Sequence, residues 1–290
     1  MGSMDGELCM LTGGTAGIGY YTALEIAKMG ASVIIIGRNH IKCITAVQRI
    51  KAESGNQLVD CLEADLSSQA EIRKISDLFY DAHDRLDVLV NNAGGFFLHR
   101  KLSVDGIEMT FALNHLAYFL LTKLLMDALK TSSSARVVNV SSGSHLHQQL
   151  DFNNLQLTRF YNPVKAYGRS KLANILFTYE LARRMEATHV IANALTPGMV
   201  ATEIWIKGDR WMTYLINPVI KRIAQTPLEG SQTSIFLATS PDVNGITGKY
   251  YANKQPVNSD PNSYDRFAAQ QLWQKSLELV DMGSTNDQAM

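Results

Sequence analysis

Tyr167 and Lys171 stand four residues apart in Tyr167-Gly168-Arg169-Ser170-Lys171. On a helix, that spacing raises the phenol and the ammonium from one face, so the two can meet over the same spot. Such a pair suits acid/base chemistry. A phenol has an ordinary pKa near 10 and is a poor base at neutral pH. A fixed positive charge about 4 Å away, at an effective dielectric of about 20, favours the phenolate by about 4 kcal/mol, roughly 3 pK units. Tyrosine and lysine at this spacing also form ordinary amphipathic pairs on solvated faces. What singles this pair out is the set of groups that precedes it along the chain.

Leu8-Cys9-Met10-Leu11 reads as a short buried strand running into Thr12-Gly13-Gly14-Thr15-Ala16-Gly17-Ile18-Gly19, before a helical pattern through Ala27. Glycines there let the backbone turn sharply and approach a phosphate resting on the helix N-terminus. The G-x-x-x-G-x-G spacing departs from the G-x-G-x-x-G dinucleotide fingerprint but occupies the same place, between a first strand and a helix. A second strand, Ser32 to Ile36, ends in Gly37-Arg38-Asn39. An acid at that point binds the ribose hydroxyls of NAD, whereas arginine can hold a 2′-phosphate, so the expected cofactor is NADP(H). The plain alternative makes Arg38 a solvated loop residue beside the helix cap Asn39.

A third strand, Leu58 to Glu63, runs into Asp65-Leu66, where the carboxylate either accepts from an adenine amine or caps the next helix. The fourth, Leu86 to Val90, ends in Asn91-Asn92-Ala93-Gly94, small and amide residues able to pack against a cofactor ribose. Asn114 and His115 interrupt the apolar run from Phe111 to Leu125, marking a local kink or a site group. The fifth strand, Arg136 to Val140, leads to Ser141-Ser142-Gly143-Ser144-His145. The sixth, Val190 to Leu195, leads to Pro197-Gly198 and then to a stretch rich in large apolar residues, Trp205 and Trp211 among them. Because ligand clefts open at the carboxyl ends of strands in doubly wound sheets, this stretch, about 200–226, is expected to be a lid over an apolar substrate rather than core helix. A helix from Pro227 to Thr239, a short strand Gly248 to Tyr251 and an amphipathic helix Phe267 to Leu279 complete a single domain, 4–282. Met1-Gly2-Ser3 has the look of a tag remnant, and 283–290 of a disordered tail. His145 and His147 flank Leu146, but with no further ligand at fitting spacing no metal site is expected.

Composition narrows the partners. The 290 residues are 46% hydrophobic and 19% charged, with 27 basic and 27 acidic side chains. That balance points away from nucleic acid and acidic membrane surfaces, and towards small, largely uncharged ligands. Cys9, Cys43 and Cys61 are odd in number and have no redox-like or metal-like spacing, so they read as thiols in a reducing, cytoplasmic setting. No apolar run reaches the ~18 residues of a spanning helix.

In this order, Thr12 to Gly19, Asp65, Asn91-Asn92-Ala93-Gly94, Asn114, Ser142, Tyr167, Lys171 and Pro197-Gly198 resemble the motifs of the short-chain dehydrogenase/reductase family over nearly the whole chain. Asp105-Gly106-Ile107-Glu108, Asn114 to Thr122 and Val140 to His145 are similar to signature runs of its retinol-dehydrogenase-like branch. That branch usually has Gly-His where this chain has Ala117-Tyr118, and small or aliphatic residues where it has Gly95-Phe96-Phe97. The resemblance implies an α/β doubly wound Rossmann fold, a seven-stranded, mostly parallel sheet flanked by helices, usually in a homodimer or homotetramer. It implies that Tyr167 is the general acid or base, that Ser142 rather than Ser141 donates to the substrate oxygen, and that Lys171 keeps the phenol acidic. Asn114 would hold a water that relays protons to Lys171. The cofactor would lie on Gly13, Thr15, Gly17, Ile18, Gly19, Arg38, Asn39, Asp65, Leu66, Asn92, Ala93, Gly94, Tyr167, Lys171, Pro197, Gly198, Val200 and Thr202. Phe96, Phe97, Ser144, Trp205 and Trp211 would face the substrate. The expected activity is NADP(H)-dependent interconversion of a carbonyl and an alcohol on a bulky apolar molecule. The rival readings are a catalytically silent NADP(H) sensor and a reductase of carbon–carbon double bonds.

Overall fold

The computed structural model describes residues 3–198 and 225–282. Strand β1 (Leu8–Thr12) is buried along its whole length, as are β4 (Val88–Asn91) and all of β2 (Ser32–Gly37) beyond its first residue. Strands this apolar need cover on both faces, which parallel sheets obtain from crossover helices. Here β1 pairs in parallel with β2 on one side and β4 on the other. With β3 (Val59–Glu63), β5 (Arg136–Val140), β6 (Ile191–Thr196), β7 (Tyr250–Ala252) and β8 (Gln255–Val257), the order across the sheet is β3-β2-β1-β4-β5-β6-β7-β8. Strand order therefore reverses between β1 and β4, and a crevice opens there at the carboxyl ends of the strands.

The sheet has eight strands where seven were expected. The extra one, β8, forms an antiparallel edge with β7 and is exposed at all three residues, one of them Pro256. One face of the sheet packs against α1 (Gly17–Lys28), α2 (His40–Ser54) and α8 (Pro227–Thr239) through Leu24, Ile26, Ile50 and Leu237. The other face packs against α3 (Gln69–Tyr80), the segment Met109–Leu124, α7 (Pro163–Arg184) and α9 (Arg266–Leu279), around Phe79, Phe119, Phe177 and Trp273. Within Met109–Leu124 a three-residue helix, α4 (Met109–Phe111), passes through a π turn (Ala112–Leu116) into α5 (Ala117–Leu124); α6 (Met126–Thr131) follows.

The π turn sits where Asn114-His115 broke the apolar run. His115 is fully buried, and burial pulls its imidazole down to about 4, so it packs as a neutral ring. Its Nδ1 lies 3.3 Å from Asn174 Oδ1 on α7, and its Nε2 3.0 Å from Ser276 Oγ on α9. Asn174 Nδ2 in turn donates to the Asn114 carbonyl at 2.9 Å, tying the π turn to α7. No helix among the described residues is long and apolar enough to cross a membrane. The expected lid lies outside the described residues except for Gln225 and Thr226, and Thr226 with Glu229 forms the capping box of α8. The expected tail, 283–290, also lies outside them.

Candidate active site

Five chain segments meet at the carboxyl end of β1, β4 and β5. The first is the glycine turn. Thr12 fastens it to the neighbouring strand, accepting on Oγ1 from Asn92 N at 2.8 Å and Ala93 N at 2.9 Å. Asn92 Nδ2 donates to the Thr12 carbonyl at 2.9 Å. Gly13 and Gly17 adopt φ of 70° and 59°, the left-handed region that glycine occupies without strain. At Gly19 the constraint is space: a Cβ there would stand 2.3 Å from the Gly13 carbonyl oxygen and 2.6 Å from Asn92 Nδ2. Gly19→Ala is expected to cost roughly 2 kcal/mol of folding stability by overpacking and to weaken dinucleotide binding with it, as urea unfolding and a binding titration would show.

Ala16, the residue capping α1, offers no side-chain acceptor to the first-turn amides, and that turn carries no acid. Caps by Asn39, Ser68, Asn162 and Thr226 close the N-termini of α2, α3, α7 and α8. The open amides of α1 beside a glycine cradle fit the pyrophosphate of a dinucleotide. Arg38 is exposed at the end of β2. Asn39 Oδ1 is committed to its own helix, accepting from Lys42 N at 3.0 Å. Asp65 Oδ1 accepts from both the amide and the hydroxyl of Ser67, at 2.9 and 2.8 Å, so the carboxylate organises the β3–α3 turn next to buried Leu66.

On the α7 side the two serines separate. Ser141 is buried and donates its hydroxyl to the Lys171 carbonyl at 2.8 Å, a structural link between β5 and α7. Ser142 is half-buried and hydrogen-bonds the Tyr167 phenol. Successive strand-end residues point to opposite faces, which is why only one of the pair reaches the site. Ser144 does not stand apart as a separate wall: its amide donates to Ser142 Oγ at 3.2 Å, and its hydroxyl lies 3.3 Å from the same oxygen. Gly168 lets this turn lie against α7, since a Cβ there would stand 2.6 Å from the Ser144 carbonyl oxygen. His145 buttresses the turn, with Nδ1 2.7 Å from the Ser142 carbonyl and Nε2 accepting from Asp260 N at 3.1 Å.

Tyr167 and Lys171 do share a face of α7, with Lys171 Nζ 5.6 Å from the centre of the Tyr167 ring. Their electrostatics differ from the expectation of a depressed phenol. Burial dominates both groups: it pushes Tyr167 up to about 12, against a Ser142 hydrogen bond that pulls it down, and it pulls Lys171 down to about 7. A charge at 4 Å in a wet medium was the wrong picture, because both groups leave water together. Lys171 Nζ donates to the Val140 carbonyl at 3.0 Å. Asn114 is placed by the π turn against the strand-end loop: Oδ1 accepts from Gly95 N at 2.7 Å, and Nδ2 donates to the Gly95 carbonyl and to Ser170 Oγ, both at 3.0 Å. Gly94 allows the approach, a Cβ on it falling 3.2 Å from Asn114 Oδ1 and 3.6 Å from Lys171 Nζ.

Phe96 meets Tyr167 edge to face, with ring centres 5.7 Å apart. Phe97 packs over Gly95, and its carbonyl accepts from the Tyr161 hydroxyl at 2.8 Å. Pro197 and Gly198 follow β6, Gly198 at φ 79°. Val200, Thr202, Trp205 and Trp211 lie outside the described residues. Sequence reasoning gave no role to Thr12, Ser170 and Asn174, which hold the site from behind; Thr12 and Ser170 lie within the glycine turn and the Tyr167–Lys171 stretch, and Asn174 had only its polar type beside Ala173 and Ile175 as a signal.

A short chain dehydrogenase family profile matches residues 7–213. Human polyprenol dehydrogenase is 42% identical over 281 residues, 94% of this chain and 85% of that protein. Mouse retinol dehydrogenase 14 is 39% identical over 292 residues, 96% and 87% of the two chains. The crystal structure of an uncharacterized protein from Mycobacterium paratuberculosis superimposes with a TM-score of 0.79 at 29% identity, covering 98% of this chain and 96% of that one. The Pseudomonas aeruginosa RhlG/NADP active-site complex gives 0.68 at 27% identity, covering 86% and 94%. The chain belongs to the short-chain dehydrogenase/reductase family, in its retinol-dehydrogenase-like branch. It is an oxidoreductase of that family, built for a nicotinamide dinucleotide.

Proposed function

We propose that this protein is an NADP(H)-dependent oxidoreductase that interconverts a carbonyl and an alcohol on a bulky apolar substrate, with Tyr167 as general acid and base. The observation that carries the reading is the convergence of Ser142 and Lys171 on Tyr167, beside the crevice where the strand order reverses. A dinucleotide held at the glycine turn and the open amides of α1 would supply or accept the hydride. Ser142 and Tyr167 donate to the substrate oxygen, and as charge develops there the phenol proton passes to it. In the alcohol direction the Tyr167 oxygen takes that proton back from the substrate hydroxyl as the hydride leaves its carbon. Phe96, edge to face with Tyr167, puts aromatic surface beside the phenol, and Phe97 packs on neighbouring Gly95; such surroundings suit an apolar chain or ring better than a charged one. Relatives named for polyprenol and for retinol, both apolar alcohols, support the same class. Arg38, exposed at the end of β2 with no acid in the first turn of α2, supports the phosphorylated cofactor.

The test is NADPH consumption against aromatic ketones, medium-chain aldehydes, retinal and steroid ketones, with NADH in parallel. Turnover with NADPH that disappears in Tyr167→Phe is the expected result. Tight NADPH binding with no turnover on any carbonyl would overturn the reading in favour of a silent sensor.

A further inference from the structure

Tyr118 is fully buried on α5, one turn beyond Asn114, and its hydroxyl has no hydrogen-bond partner among the described residues. A buried, unsatisfied phenol is costly, and the same ring with no hydroxyl would pack as well. Burial holds the phenol well above its ordinary value, with Tyr167 pushing the same way, so Tyr118 stays a neutral group able both to donate and to accept. Lys171 Nζ lies over the Tyr118 ring, 5.7 Å from its centre, a distance at which a cation is held by the ring face. Of the three ammonium hydrogens, one goes to Val140 O. Asn114 Nδ2 has both hydrogens committed, to the Gly95 carbonyl and Ser170 Oγ, while its Oδ1 accepts from Gly95 N and has capacity for one further donor, so at least one ammonium hydrogen needs an acceptor elsewhere.

Resting on the reading of Tyr167 and Lys171 as a working pair, we propose that Tyr118 is a positioning residue of the reaction. Its ring face, together with that of Tyr167, holds the Lys171 ammonium, and its hydroxyl takes one of the remaining ammonium hydrogens through a single bridging water. Lys171 and Tyr118 are both buried, and the charged form of a buried lysine survives only where acceptors replace the water it lost. Among the described residues, the ionisable groups facing Lys171 are Tyr167 on its own helix and Tyr118 on α5. Strand β5 and the β4 loop offer only the Val140 carbonyl and Gly94.

The experiment compares the wild-type chain with Tyr118→Phe, which keeps the ring and removes the hydroxyl, and with Tyr118→Leu, which removes both. With lysines labelled by carbon-13 at Cε and Lys171 assigned from its absence in Lys171→Met, the amine titration is followed in the cofactor-free chain. Tyr118→Phe is expected to move the Lys171 titration to lower pH. It should also lower kcat by about 10-fold, the size of one hydrogen bond to a charged group, while KM and NADPH affinity stay within about twofold. Where Lys171 is already neutral its melting temperature should match the parent's, because the hydroxyl then holds no ammonium; at lower pH it should fall as the charged amine loses an acceptor. Tyr118→Leu should lower kcat further. An unmoved Lys171 titration, an unchanged kcat, or a fall in melting temperature as large where Lys171 is neutral as where it is charged would overturn the proposal. The last result would make the hydroxyl a structural group of the core instead. If the wild-type chain turns over no carbonyl, the functional reading fails, while the titration still decides whether Tyr118 holds Lys171.

Discussion

Tyr167→Phe is expected to lower turnover by at least about 100-fold while NADPH affinity stays within about twofold, since positioned acid/base catalysis contributes 10²–10⁴. The substitution removes one oxygen and leaves the ring. The edge-to-face contact with Phe96 and the position of Lys171 over the ring survive, so the loss reports chemistry and not collapse. The cofactor cradle at Thr12 to Gly19 lies on another segment and is untouched. Because burial pushes the phenol up to about 12, the proton stays on Tyr167 across neutral pH. Carbonyl reduction needs that proton and is expected to be insensitive to Tyr167 ionisation up to about pH 10. Alcohol oxidation needs the phenolate and should speed up as pH rises towards 12. Paired pH profiles in the two directions check the sign, and an oxidation rate that falls between pH 7 and 10 would place the base elsewhere. Near-normal turnover of the variant would remove Tyr167 from the mechanism.

Much of this arrangement was legible from residue order. The apolar run Leu8 to Leu11, the glycine turn and the helix after it follow from local chemistry, and the structure places them as read. Strand ends moved where pairing, not composition, decides them. The fourth strand, expected from Leu86, begins at Val88: Leu86 N turns aside to the Ala128 carbonyl, and Asp87 already bonds to Leu8 of β1 and Arg136 of β5 at the strand's entry. Strand β8 has no apolar pattern at all, and exists because the turn at Asn253-Lys254, both with positive φ, folds it back on β7. Choosing between Ser141 and Ser142 needed the face each presents, which an isolated strand does not reveal. The charge state of the Tyr167–Lys171 pair was the least legible feature. Spacing shows that two groups can meet, but only the packing of α5, β5 and α7 around them shows how much water they lose. Tyr118 belongs to that same hidden layer, one aromatic residue in an apolar run whose hydroxyl matters only once Lys171 is seen beside it.

Arg38→Asp is expected to shift the ratio of NADPH to NADH affinity by about 100-fold towards NADH. Loss of a hydrogen bond between charged groups weakens NADPH by about 1.5–3 kcal/mol, and a carboxylate facing the 2′-phosphate adds repulsion, while the same carboxylate can accept from the free ribose hydroxyls of NADH. The fold should tolerate the change. Arg38 is exposed and makes no ion pair among the described residues, and Asn39, not Arg38, caps α2. An acid just before that helix is favoured by the amide dipoles, so the variant should melt no lower than the parent. The nearby Glu63 is held by His40, 3.1 Å from its Nδ1, and stays away from the new carboxylate as long as that pair persists. Fluorescence titration of both cofactors against both proteins reads the ratio directly. An unchanged ratio would make Arg38 a solvated loop residue and leave the phosphate to another group, whereas equal weakening of both cofactors would mean that the substitution had disturbed the glycine cradle beside it.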